Sequence, residues 1–256
     1  MERTSFKAYF IDRLRGKVFV AVFAIYAAFL LFSGVYFFTL LQVRNAIMSL
    51  AFLLFIPAVF FVEYFLRIRC GNIFTAAALA LASGSILGTC YDLYTAFDLF
   101  DVLLHGLAGV LFACLGFTLA EKFFGTPNDI KHFFGCLTFA IAFSLAIAVV
   151  WEIFEYTCTV FLGFDMMEDS IVRDIHSYLL AGSHNEIVTL DGITKTIVYY
   201  GNGKMFIIDG YLDLGLMDTL GDMIICTVGA VVFGGVAAWS YLKAPKVNAA
   251  LIPKAL

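Results

Sequence analysis

Six apolar stretches of about 20 residues each, the length a helix needs to cross hydrocarbon, recur along this chain near 18–41, 46–66, 73–91, 102–120, 133–156 and 221–242. Inside a bilayer every backbone N–H and C=O must be satisfied within the protein, so such runs have to be helices. The first run is about twice a signal-peptide core and lacks a small-x-small cleavage site after it, so it reads as a retained span. Composition agrees: 62% of residues are hydrophobic and 14% charged, against about 25% charged in soluble domains. The 29 phenylalanines and 21 glycines suit lipid-facing bulk and close helix crossings. The fold class expected is an all-α polytopic membrane protein, one membrane domain over 1–256 with six transmembrane helices.

Placement of Lys and Arg orients the spans, because short basic loops stay in the cytoplasm. With both termini cytoplasmic, all but Arg44, Arg173, Lys195 and Lys204 of the 16 basic residues fall inside. A five-span or seven-span reading scrambles that asymmetry. The expected location is therefore the bacterial plasma (inner) membrane, multi-pass, with membrane lipids as surroundings. The net charge of -4 is spread between the two faces and gives nucleic acid binding no support. The six cysteines, Cys70, Cys90, Cys114, Cys136, Cys158 and Cys226, lack CxxC spacing and read as small buried hydrophobes, with a Cys90 to Cys158 disulfide as the alternative.

One segment is unlike the rest. Residues 163–217 are polar and punctuated, and are expected to form a small α/β extracytoplasmic cap between the fifth and sixth spans. A helix-like pattern at Ser177 to Leu180 precedes an alternating β-branched run at Ile187, Val188 and Thr189. Asp191-Gly192 then predicts a hairpin into Thr194 to Tyr200, and Asn202-Gly203 a second turn before Lys204 to Ile208.

Ionisable residues at span ends carry the functional information. Asp98, Asp101 and His105 share one helix face by spacings of three and four at the start of the fourth span; Trp151, Glu152 and Glu155 close the fifth; Asp218, Thr219 and Asp222 open the sixth. The assigned topology brings all three blocks to the outer level, where Asp92 also falls. Asp101 and Asp218 alone are accounted for as helix N-terminal carboxylates. Glu152 and Glu155 are not, since the helix C-terminus disfavours negative charge. Carboxylates about 5 Å apart repel by roughly 3 kcal/mol at an effective dielectric near 20. No Lys or Arg lies within these blocks. Such a cluster holds a cation, holds protons, or is separated by packing. Carboxylate oxygens with one imidazole suit a hard divalent metal, Mg or Mn before Zn. The predicted ligands are Asp101, His105, Glu152, Glu155, Asp218 and Asp222, with Asp92, Asp98, Trp151 and Thr219 as supporting polar residues.

The ordered blocks Asp101 to His105, Trp151-Glu152-Ile-Phe-Glu155 and Asp218-Thr219-Leu-Gly-Asp222, followed by Gly229-Ala230, resemble the YjdF-type family of bacterial inner-membrane proteins over roughly residues 90 to 235. That resemblance implies a membrane fold and this residue set without a reaction, and the cap here is larger than in the shortest members. A fainter likeness to VanZ-type proteins, associated with tolerance of antibiotics that bind cell-wall lipid precursors, points the substrate toward envelope lipids. Two main functions follow. In one, the outward acidic/His pocket binds a divalent cation and acts on or holds a phosphate-bearing envelope lipid or glycoconjugate, with one carboxylate as general base. In the other, the carboxylates are the ion or proton site of a transporter; a non-catalytic envelope scaffold or sensor is a third. A transport path needs polar groups toward the inner face, where these three spans offer only Thr118, Thr138 and Ser240, and Glu63 is explained by a helix pair with Arg67. The pocket reading is preferred.

Overall fold

Ser5 caps the first helix by accepting the Ala8 N–H at 3.3 Å. The structure, a computed structural model, describes residues 5–97 and 99–243 and the backbone of 254–255. The order is α1 (Phe6–Leu14), α2 (Lys17–Thr39), α3 (Val43–Ala51), α4 (Phe55–Leu66), β1 (Ile68–Arg69), α5 (Asn72–Ser85), α6 (Leu93–Ala96), α7 (Phe100–Phe124) and α8 (Ile130–Thr157). Then come β2 (Ile171–Val172), β3 (Ile175–Ser177), α9 (Tyr178–Ala181), β4 (Val188–Leu190), β5 (Thr196–Tyr200), β6 (Lys204–Ile208), β7 (Tyr211–Leu212), α10 (Leu216–Lys243) and β8 (Lys254–Ala255).

Among the described residues six helices are long and apolar enough to cross a membrane: Lys17–Thr39, Val43–Leu66, Asn72–Cys90, Phe100–Phe124, Ile130–Leu162 and Leu216–Lys243. The protein is thus an all-α polytopic membrane protein with a few two-stranded sheets. The second span is not one regular helix. Pro57 lacks the N–H that would bond the carbonyl four residues earlier, and α3 passes into α4 through a tighter turn at Phe52–Leu54.

The chain divides into two compact units, the first made of Met1–Ala148 with Ile224–Leu256, the second of Val149–Met223. In the first unit, one core cluster gathers Phe19, Phe23, Tyr26, Leu30 and Phe37 of α2 with Phe60 and Leu79. A second joins Phe117 of α7, Phe133, Cys136 and Ala140 of α8, and Ala230 and Phe233 of α10. Glycines set the α7–α10 crossing: a Cβ on Gly109 would collide with the Cys226 carbonyl, and one on Gly229 with that of Gly106. Ser144 of α8, fully buried, donates to the Gly109 carbonyl at 3.1 Å, which ties the third helix to the same point.

Glu63 is also fully buried here, and its partner differs from the helix neighbour expected. Arg13 of α1 donates to Glu63 Oε1 at 2.8 Å, the Cys70 N–H donates to the same oxygen at 2.8 Å, and the Tyr9 hydroxyl donates to Oε2. Arg67 ends α4 in the left-handed conformation at φ 50° and stays exposed. Leaving the helix there, it loses the spacing on which a pair with Glu63 depends. Burial, then the Glu63 charge, raises the Cys70 thiol far above its ordinary range. All six cysteines are buried free thiols, so the Cys90 to Cys158 disulfide is not formed.

In the second unit three antiparallel pairs form, β2 with β7, β3 with β4 and β5 with β6. The Asn202-Gly203 turn closes the β5–β6 hairpin. The Asp191-Gly192 hairpin does not form, because β4 pairs with β3 instead of β5. Asp174 accepts the Gly192 N–H at 3.0 Å, and Ile193 donates to the Arg173 carbonyl at 2.7 Å. These bonds hold the turn against the preceding strand and occupy the groups a hairpin ladder needs.

Candidate functional site

A buried convergence of ionisable groups lies within the unit Val149–Met223. Glu152 and Glu155 are three residues apart on α8 and therefore share a face. Asp222 stands on the second turn of α10. Each of the three offers a carboxylate oxygen, all within 4.8 Å of one another, on side chains only 7%, 7% and 6% exposed. At that separation two full charges repel by roughly 3 kcal/mol with an effective dielectric of 20. A divalent ion between them converts this repulsion into attraction, and three carboxylates supply the oxygen ligands that hard cations take.

The loop after α8 is held to both helices of this unit. Beyond Thr157 the helix widens through Cys158–Leu162 and stops at Gly163, whose φ of 68° suits a residue without a side chain. Thr159 Oγ1 then accepts the N–H groups of Met166 and Met167 at 3.0 and 3.3 Å, and Asp218 accepts the Glu168 N–H at 3.1 Å. At the start of α10, Asp213 Oδ1 accepts from Ser170 at 2.8 Å and Gly215 at 3.1 Å, while Oδ2 accepts from Met217 at 2.8 Å. Burial alone would push the Asp213 carboxyl up, but these N–H donors outweigh it and hold it below its ordinary value. For nearby Asp169, burial and then the charges of Asp165 and Asp213 push the other way, upward. Asp213 was absent from the residues expected from sequence. Its signal is an acidic residue just before an apolar helical run, the pattern of a helix start.

Of the supporting residues, Trp151 donates from Nε1 to Glu155 Oε1 at 2.8 Å and so orients that carboxylate. Thr219, three residues before Asp222 on α10, has its buried Oγ1 without a hydrogen-bond partner among the described residues. In the first unit, Asp101 lies in the first turn of α7 and meets His105 one turn on, at 3.6 Å. Asp92 is exposed and accepts the Thr95 hydroxyl at 2.8 Å, closing its own short turn. Asp98 lies outside the described residues.

No curated protein and no solved structure matches the chain. A family model does match, over residues 18–243, which takes in all six spans but for Lys17 and the whole of the segment between the fifth and the sixth. The chain therefore belongs to the family described as predicted membrane protein (DUF2238).

Proposed function

We propose that the protein binds a hard divalent cation, Mg or Mn before Zn, through Glu152, Glu155 and Asp222. The observation that carries this reading is the approach of three buried carboxylates to within 4.8 Å. Trp151 is a positioning residue through Glu155, and Asp218 and Asp213 position the start of α10 through the loop N–H groups they accept. The bound ion would hold, or act on, a phosphate-bearing envelope lipid or glycoconjugate at the outer face of a bacterial plasma membrane, screening phosphate charge and activating water. The YjdF-type likeness of the three blocks belongs to this reading as its family frame.

Metal analysis and thermal melts of the purified full chain test it. Wild type should carry bound metal, and chelation should lower the melting temperature, since a ligand at 100 times its Kd that binds only the folded state adds about 2.7 kcal/mol. Glu152→Gln and Asp222→Asn should each remove most of the metal, while Asp165→Asn should not. A metal-free wild type, unmoved by chelator and stabilised by Glu152→Gln, would reject the cation and favour protons on these carboxylates, as in a proton-coupled transporter.

A further inference from the structure

An apolar cleft of about 280 Å³ opens where Pro57 interrupts the second span. Its walls include Phe10 and Leu14 of α1, Val20 and Phe23 of α2, and Ile56 and Pro57 of α4. Val20 and Phe23 lie three and six residues into α2 from Lys17, about 5 and 9 Å along the axis at 1.5 Å per residue. Pro57 is nine residues before Leu66, where α4 ends, about 14 Å by the same rise. In a bilayer whose headgroup layer meets these two helix ends, the cleft would span the depth of the first acyl-chain methylenes. Carbon walls at that depth suit a hydrocarbon chain and give water nothing to bond.

The charge around the mouth selects the headgroup. Arg15 and Lys17 are exposed where α1 passes into α2. Arg13 is occupied by Glu63 and the Cys70 carbonyl, at 2.8 and 3.1 Å. The acidic residue of this stretch, Asp12, is paired with Arg69 at 2.9 Å. No side chain caps the start of α2 after Gly16, so its first-turn N–H groups can donate to an anion alongside the two cations. Both the carbon cleft and the basic mouth are built by α1 and the first turns of α2, which places an acyl chain and its phosphate within one molecule's reach.

We propose that this cleft binds one acyl chain of an anionic phospholipid, with its phosphate held at Arg15, Lys17 and the start of α2. The site is formed by residues of the first unit and does not depend on the cation reading. Native mass spectrometry of the full chain tests it, with equal amounts of phosphatidylglycerol and phosphatidylcholine of the same chains supplied in mild detergent. Phosphatidylglycerol should be retained preferentially, by about fivefold for each basic residue engaged. Arg15→Gln combined with Lys17→Gln should bring the two lipids to parity while lipid is still retained, and Val20→Trp, which fills the cleft, should reduce retention of both. Equal retention of the two lipids by wild type would overturn the proposal, as would a preference untouched by the double substitution. Because Arg15 and Lys17 are exposed, the charge arm stands by itself even where Val20→Trp disturbs folding.

Discussion

Arg13 and Glu63, 50 positions apart in the chain, form a buried ion pair with side chains 5% and 1% exposed. Two charges taken out of water are held only by a dense set of partners, and here Tyr9, the Cys70 N–H and carbonyl, and the Phe19 ring 3.7 Å from the guanidinium supply them. Removing one charge leaves the other buried and uncompensated, at a cost of about 3–5 kcal/mol. Arg13→Met and Glu63→Leu should therefore each destabilise the protein strongly in thermal melts, whereas the two together should recover much of the loss. Additive effects in that double-mutant cycle would show that the pair has no direct coupling. Arg67→Met should leave stability nearly unchanged, which separates this network from a helix pair between Glu63 and Arg67.

At the level of elements, the α7–α10 crossing depends on atoms that are absent. A Cβ on Gly109 would enter the Cys226 backbone and one on Gly229 the Gly106 backbone, and helix association without a hydrophobic driving force relies on such contact. Gly109→Ala should force the helices apart and lower stability by about 1–3 kcal/mol. Gly135→Ala, on α8 with nothing within 4 Å of the added carbon, should be neutral or slightly stabilising. A Gly109→Ala melt indistinguishable from wild type would refute the close crossing. The same length scale governs the polar segment: β4 pairs with β3 since Asp174 and Arg173 hold the Asp191-Gly192 turn, a preference that turn chemistry alone does not contain.

For the whole molecule, the distribution of basic residues predicts both termini in the cytoplasm and the 163–217 segment outside. Single cysteines placed at exposed Asn185 and Asn128 test this in intact cells, with the six native thiols buried and slow to react. Asn185→Cys should label with an impermeant reagent from outside, and Asn128→Cys only after permeabilisation. The opposite pattern would invert the proposed outer site.

The spans were legible because their cause is local: a run of apolar residues in hydrocarbon has one way to satisfy its own backbone. The same locality made Glu152 and Glu155 readable as one face of a helix and marked Asp222 as an acidic residue near a span end. Local pattern does not carry distance between elements. That Asp222 on α10 meets Glu152 and Glu155 on α8 within 4.8 Å is decided by the loop that Thr159, Asp213 and Asp218 hold in place. That Glu63 takes Arg13 instead of Arg67 is decided by the left-handed turn ending α4 and by the packing of α1 against it. In both cases the chain supplies the charges, and only the tertiary structure chooses their partners, because burial makes each buried charge depend on groups brought from distant positions.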